Sequence, residues 1–354
     1  ADQRLAPGPA PEFWPSVVAI IPARNERPTI GDVVASLKST HYPGRLDIVV
    51  VDDHSDDGTA DAAKTAGATV IAAEPLPQGW SGKLWAVHAG LEHANQACSP
   101  APEWILLTDA DIHHAPDTLR KLVAKGHDQN LALVSLMARL DSRGIWGGLL
   151  IPAFVFFFQK LYPFPWVNRH GHWMAAAAGG CMLIRRTALQ EIGGIAVLKD
   201  ALIDDCTLGA KLKHGPPKRR IWLGLSGSEV TSLRDNRSLK SIWTMVSRTA
   251  FTQLRHSTVL LIGAVVGMVF IYIAPWIALV WGASCQDLLL AVSGGCAIIA
   301  MSVAYWPTLQ LYDQPIARTL LLPVAAAIYT AMTVTSAIHH WRGQGGKWKG
   351  RTYP

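Results

Sequence analysis

Through the first 140 residues, short runs that are almost wholly apolar alternate with stretches that carry apolar residues at helical spacing. The runs are residues 17–22 (VVAIIP), 46–52 (LDIVVVD), 68–72, 104–108 (WILLT) and 131–138; the helical stretches are 29–39, 59–66, 84–96 and 116–125. A run without polar alternates fits a strand covered on both faces, and strand–helix alternation predicts an α/β fold on a mostly parallel sheet flanked by helices. In such sheets ligands bind off the carboxyl ends of the strands. The polar clusters after the first, second and fourth runs are therefore expected to meet in one crevice.

Beyond residue 140 the pattern changes. Residues 147–166 (GGLLIPAFVFFFQKLYPFPW) are rich in Phe, Pro and Trp and are interrupted by Lys160. Such a segment suits a helix lying in a lipid headgroup layer; the competing reading is a buried core helix. Residues 257–286, 288–312 and 319–341 carry no Asp, Glu, Lys or Arg, and each is longer than the about 20 residues a helix needs to cross a bilayer core. Trp276, Trp281, Trp306 and Trp341 fall near the ends of these stretches, as in membrane-interface belts. A buried helical domain of a soluble protein is the alternative.

Charge sharpens the division. Charged residues are 16% of the 354-residue chain, against about 25% in soluble domains. Only seven (Asp287, Asp313, Arg318, Arg342, Lys347, Lys349 and Arg351) lie in residues 257–354. The expected layout is a Pro-rich segment 1–15, a catalytic domain 16–235, a basic amphipathic segment 236–256, membrane helices 257–341 and a basic tail 342–354. A disordered chain, a collagen-like chain and a disulfide scaffold are excluded. The five cysteines form no C-x-x-C pair, as expected of reduced thiols, and no signal peptide is visible. The net charge of +6 gathers beside the apolar region at Arg234, Arg237, Lys240, Arg248 and Arg255, which points to anionic lipid rather than nucleic acid. Three crossings would place the basic tail opposite the catalytic domain, against the positive-inside tendency. One segment is therefore expected to be re-entrant or interfacial.

The chemistry concentrates in acidic clusters. Asp109-Ala110-Asp111 directly follows WILLT, and two carboxylates at a strand end suit a hard divalent ion, Mg2+ or Mn2+; alone, the motif also reads as a solvated turn. The second run ends in Asp52-Asp53-His54-Ser55-Asp56-Asp57-Gly58, where Asp53 can accept hydrogen bonds from a base or ribose and Asp56 or Asp57 can cap the next helix. Pro22-Ala23-Arg24-Asn25-Glu26 can clamp a nucleotide through backbone groups and Arg24, or form a plain turn. Gly79-Trp80-Ser81-Gly82-Lys83 fails as a phosphate loop, because Leu84 stands where Ser or Thr is required; Lys83 still reaches a phosphate from the start of a helix. Asp204-Asp205 precedes a helical stretch at 206–213 and reads either as a cap or as the site of a general base. His113-His114 could add a metal ligand, and His339-His340 reads as an interfacial anchor.

Six segments, PARNE (22–26), VVVDDHSDDGT (49–59), GK (82–83), TDADI (108–112), GGCMLIRR (179–186) and IDDCTLGAKL (203–212), together resemble the family 2 glycosyltransferases of GT-A fold, over about residues 16–256. The likeness extends to bacterial hopanoid-biosynthesis-associated membrane glycosyltransferases, through GWSGKLWAVHAG, IPAFVFFFQKLYPF and RTAFTQLR. The resemblance implies that Asp53 contacts the uracil or ribose of a UDP-sugar, with Pro22, Ala23 and Glu26 lining the nucleotide. It implies that Asp109 and Asp111 hold the sugar nucleotide and its metal, that Asp205 is the general base with Asp204 before it, and that Gly180 and Cys181 wall the acceptor side. The Q-x-x-R-W motif of processive members is missing; Arg248 stands in the comparable stretch as a substitute diphosphate contact. Trp348 and Arg351 look like the W-x-G-R ending of enzymes that act on lipids.

The resulting expectation is a GT-A domain on the cytosolic face of a bacterial inner membrane. It transfers one sugar, with inversion, from a UDP-sugar to the hydroxyl of a membrane lipid, a hopanoid or related isoprenoid. The alternatives are a polyprenyl-phosphate sugar synthase, a ceramide-type glucosyltransferase, a polysaccharide synthase and a non-enzymatic UDP-sugar-binding scaffold.

Overall fold

The computed structural model describes residues 3–97, 100–199 and 204–343, and the backbone of 347–348 and 351–352. The chain forms two compact units. The first comprises Ala1–Leu140 and Tyr162–Arg234, the second Asp141–Leu161 and Asp235–Pro354. The α/β unit is thus not one continuous stretch, because an apolar helix interrupts it.

In the α/β unit, strand β1 (Val17–Ala23) is buried at every position and begins a run of parallel strands. Helix α1 (Arg27–Lys38) follows, with Pro28 in its first turn, where no backbone donor is needed. The chain continues through β2 (Leu46–Asp52), α2 (Thr59–Thr65), β3 (Thr69–Ala72), α3 (Gly82–Ala97), β4 (Trp104–Thr108), β5 (Ile112–His114), α4 (Thr118–Asp128) and β6 (Leu131–Met137). After the apolar helix come α6 (Phe164–Asn168), β7 (Cys181–Arg185), α7 (Arg186–Glu191), a 3-10 turn (Ile195–Leu198), α8 (Asp204–His214), β8 (Arg220–Leu225) and β9 (Val230–Ser232).

Seven strands make one sheet in the order β3-β2-β1-β4-β7-β6-β8, and β5 and β9 pair apart from it. β1 and β2 run parallel in the register Val17↔Leu46 to Ala23↔Asp52, so their polar loops leave the sheet at one level. The sheet departs from uniform parallel pairing at β7, which runs antiparallel to both β4 and β6. Alternate residues of β1 (Val17, Ala19, Ile21) join Ile30, Val33, Val34 and Leu37 of α1 in one core cluster. On the other face α3 lies close: a Cβ at Gly90 would sit 2.6 Å from Ile20 Cγ2 and 3.0 Å from Val51 Cγ2, so glycine is required there. Two helix starts differ from the sequence expectation in ways that matter. α3 begins at Gly82 and α8 at Asp204, so Lys83, Asp204 and Asp205 all lie in first helical turns.

The second unit is helical: α5 (Gly144–Leu161), α9 (Leu239–Ser247), α10 (Ala250–Gln253), α11 (Thr258–Met268), a π-helical turn (Val269–Ile273), α12 (Ala274–Ser284), α13 (Leu288–Leu311), a 3-10 turn (Ile316–Leu321) and α14 (Leu322–Trp341). A short hairpin, β10 (Lys347–Trp348) with β11 (Arg351–Thr352), follows. Among the described residues, four helices are long and apolar enough to cross a membrane: Gly144–Leu161, Thr258–Ser284, Leu288–Leu311 and Ile316–Trp341. α12 and α13 approach through glycines, since a Cβ at Gly282 would meet Ala291 N at 2.4 Å and one at Gly294 would meet Pro275 O at 2.6 Å. Small residues at such crossings let backbones pack closely in lipid.

Candidate functional site

The loops after β1 and β2 are clipped to each other. Asn25 N donates to Ser55 Oγ (3.0 Å), Asp56 N to Asn25 Oδ1 (3.1 Å), and Glu26 N to Thr59 Oγ1 (2.8 Å). Asn25 and His54 turn these loops in the left-handed region, at φ of 53° and 55°, where Asn and His are among the more tolerant residues. Asp53, 1% exposed, donates its backbone N–H to Ala23 O (2.8 Å) and lies 3.6 Å from Arg24 Nη1 through Oδ2. Arg24 Nη1 also donates to Asp53 O (2.6 Å), while its Nε is buried with no hydrogen-bond partner. Thr29 Oγ1 donates to Ala110 O (2.8 Å), which ties the start of α1 to the Asp109–Asp111 turn after β4.

Lys83 joins distant parts of the sequence. Its Nζ lies 2.8 Å from Asp109 Oδ1 and 4.0 Å from Asp204 Oδ2. Burial opposes its charge, but Asp109 and Asp204 outweigh that and hold the ammonium above its ordinary value. Asp111, 7% exposed, is pushed up by burial and by the charge of Asp109, against the pull of Arg234, whose Nε lies 3.1 Å from Asp111 Oδ2. Asp205 accepts hydrogen bonds from Gly179 N (2.9 Å) and Cys206 N (2.7 Å). Burial and then the charge of Asp204 nonetheless raise its carboxyl to about 6. A carboxyl there changes protonation near neutral pH, the property a general base needs.

A small pocket opens among these groups. Pro22, Lys83, Asp109, Gly179 and Asp204 line it over an apolar floor of Leu84, Val87, Leu107, Met182, Ile195, Leu198 and Leu208. Pro22 and Ala23 end β1, and Arg24, Glu26 and Asp53 occupy the adjoining loops. Asp109 and Asp111 fit a divalent ion by chemistry: they are hard oxygen donors, and the charge of one raises the proton affinity of the other, which a cation would relieve. No cluster of three or more His, Cys, Asp or Glu side chains suited to a metal occurs among the described residues, so two carboxylates would share an ion with a bound diphosphate. His114 is not a third ligand, because it is buried with Nε2 against Thr108 Oγ1 (2.9 Å).

Other sequence expectations fall elsewhere. Gly180 opens β7 against Ile112, but Cys181 is fully buried in the core and burial pushes its thiol up to about 12. Alternation along β7 puts Cys181 on the core face and gives Met182 to the pocket. Arg248 caps α9 in the helical unit. Trp348 and Arg351 pair across the terminal hairpin, and their side chains lie outside the described residues. Sequence reasoning missed Arg234 and Gly179, since neither stands in a spacing that signals contact with a carboxylate.

A mostly parallel sheet flanked by helices, with acidic loops gathered at strand ends, defines a GT-A nucleotide-sugar transferase fold. Residues 18–193 match the family model described as glycosyl transferase family 2, and the α/β unit is a family 2 glycosyltransferase domain. Two curated relatives are an N-acetylglucosaminyltransferase of Mesorhizobium japonicum, 36% identical over 129 residues, and a 4,4'-diaponeurosporenoate glycosyltransferase of Staphylococcus aureus, 38% identical over 98 residues. The matches cover 34% and 27% of this chain but only 28% and 24% of those proteins, about a quarter of their length. Among solved structures, a mannosyltransferase from Pyrobaculum calidifontis in complex with GDP-Man and Mn2+ superposes with a TM-score of 0.54 at 19% identity, over 95% of this chain and 89% of that one. That likeness establishes the fold.

Proposed function

We propose that this chain is a membrane-bound, inverting hexosyltransferase that moves one sugar from a UDP-sugar to the hydroxyl of a membrane lipid, a hopanoid or related isoprenoid. The supporting observation is the Lys83 bridge: one ammonium reaches both Asp109 and Asp204, so carboxylates from far-apart stretches share a pocket with Asp205 beside them. In this reading the clipped loops bind the nucleotide, with Asp53 and Arg24 reading its base or ribose. Asp109 and Asp111 would hold a divalent ion, which when bound neutralises the diphosphate. Lys83 adds a fixed positive charge where negative charge develops on the leaving group. Asp205 takes the proton of the acceptor hydroxyl as its oxygen attacks the anomeric carbon opposite the diphosphate, so configuration inverts. Asp204 keeps the proton affinity of Asp205 high.

The apolar helices support a lipid acceptor held on the cytosolic face of a bacterial inner membrane. β6 precedes α5 and β7 and β8 follow it, yet all three hydrogen-bond in one sheet. Both ends of α5 therefore open on one side of a bilayer, and α5 dips into that leaflet rather than crossing it. The deciding experiment supplies the purified chain in lipid nanodiscs with a panel of UDP-sugars and total bacterial lipid, and reads the lipid fraction by mass spectrometry. A new glycolipid that disappears with Asp205→Asn is expected. A polyprenyl-phosphate sugar formed equally well by Asp205→Asn, or nucleotide binding without turnover, overturns the reading.

A further inference from the structure

We infer that Thr108 and Ser135 are positioning residues: their buried hydroxyls clamp the Ala178–Gly180 turn so that the Gly179 amide aims at Asp205, and Thr108 makes that turn one piece with the loop carrying Asp109. The inference rests on Asp205 acting as the base, as proposed above.

Three consecutive residues of the turn are each held by a different element. Ser135, in the middle of β6 and 0% exposed, binds both backbone groups of Ala178: its Oγ accepts from Ala178 N (2.8 Å) and donates to Ala178 O (3.1 Å). Gly179 N donates to Asp205 Oδ2 (2.9 Å). Gly180 O accepts from Thr108 Oγ1 (2.9 Å). A hydroxyl has one proton, and Thr108 gives it to Gly180, so its second contact, His114 Nε2 at 2.9 Å, must be an N–H donated by the ring. Burial and then His113 push the imidazole of His114 down to about 3, so it is neutral, with its proton on Nε2. His114 Nδ1, buried without a hydrogen-bond partner, agrees with that tautomer. Thr108 is thereby held in one rotamer by a donor on one side and an acceptor on the other.

The turn leaves no room for adjustment. A Cβ at Gly179 would lie 3.3 Å from Asp205 Oδ2, and one at Gly180 would lie 3.2 Å from Ile112 Cδ1. Thr108 also pairs with Cys181 across β4 and β7, and it immediately precedes Asp109. Any shift of the diphosphate side of the site is therefore carried to the amide that faces the base. A hydrogen bond to a carboxylate favours its charged form, so the clamp holds the proton affinity of Asp205 below what burial alone would set.

The test is the pH dependence of kcat/KM for Thr108→Val, an isosteric loss of the hydroxyl, and for Ser135→Ala, with the full chain in nanodiscs. The acid limb is expected to move to higher pH and kcat to fall about tenfold, with the KM for the UDP-sugar within about twofold. Thr108→Ser, which keeps the hydroxyl, restores both the limb and the rate. Ser226→Ala removes another buried hydroxyl of this unit, and its limb stays in place. If Thr108→Val and Ser135→Ala lower only the melting temperature, or if Ser226→Ala moves the limb equally, the positioning role is wrong. Failure of the underlying reading is separate, because it shows as an active Asp205→Asn enzyme.

Discussion

At the scale of single residues, Lys83, Asp111 and Asp205 are held away from their ordinary proton affinities, and the signs give predictions. Asp205 must be ionised to accept a proton, and its carboxyl sits at about 6. Turnover is therefore expected to fall as pH drops through 6, and Asp205→Asn is expected to lose about 10²–10⁴ in kcat while nucleotide binding, read by calorimetry, persists. The same shift has a stability cost of defined sign. A carboxyl with a folded-state value above its unfolded one is mostly protonated in both states at pH 3 and almost fully ionised in both at pH 8. Its burden on the fold is absent at the lower pH and complete at the higher. Asp205→Asn is accordingly expected to raise the melting temperature at pH 8 and to leave it unchanged at pH 3; an equal effect at both would contradict the assignment. Lys83 lowers the proton affinity of Asp205, so Lys83→Met should move the acid limb of kcat/KM upward; an unmoved limb would show that the ammonium does not act on the base. The acidic motifs were legible in the sequence because carboxylates cluster at strand ends only with some compensation. Their cations were not legible: Lys83 and Arg234 meet Asp109 and Asp111 through the fold, and no spacing records that. Cys181 shows the opposite limit, since a motif named the turn but strand alternation alone decided which side chain faced the pocket.

At the scale of elements, the loops after β1 and β2 owe their shape to hydroxyls rather than to apolar contact. Thr59, fully buried at the start of α2, accepts from Glu26 N and shares a short hydrogen bond with Asp57 Oδ1 at 2.5 Å. Removing a buried acceptor leaves its donor unsatisfied, at a cost of about 1–3 kcal/mol. Thr59→Ala is expected to lower stability in urea denaturation by that order and to raise the KM for the donor, with kcat little changed; a fall confined to kcat would place Thr59 elsewhere in the mechanism. The strands β1, β2, β4 and β6 were readable because burial makes them almost wholly apolar. β7 and β8 were not. β7 follows an alanine–glycine stretch that breaks any period, and β8 opens with Arg220 and carries Gly224. The antiparallel sense of β7 is set by the direction from which the chain returns to the sheet, and local sequence does not encode it. Composition likewise missed that α8 starts at Asp204, because a capping pair and a first-turn pair look alike.

At the scale of the molecule, the uneven distribution of charge foretold helices apolar enough to cross a bilayer, but length and composition cannot say which of them do. Connectivity supports the reading proposed for α5, whose two ends both lead to one sheet. It also bears on the C terminus. From Arg234 the chain reaches Phe251 and His256 through α9 and α10, neither long enough to cross a bilayer. The last turns of α14 pack on that stretch: Phe251 N donates to Ser336 Oγ (3.0 Å), the rings of His256 and His340 stack 4.0 Å apart, and those of Phe251 and Trp341 lie 5.7 Å apart. The apolar region is thus entered and left at one end. A chain that enters and leaves at one face crosses an even number of times, so one of the three helices from Thr258 to Trp341 is expected to turn back, with Arg342 on the same face as Lys240 and Arg255. That arrangement removes the conflict with the positive-inside tendency. In sealed vesicles of one orientation, an impermeant maleimide is expected to label Lys240→Cys and Gly343→Cys from the same side, above the background of the native cysteines. Labelling from opposite sides would require an odd number of crossings, and the contact between α10 and the end of α14 could not then exist in the membrane.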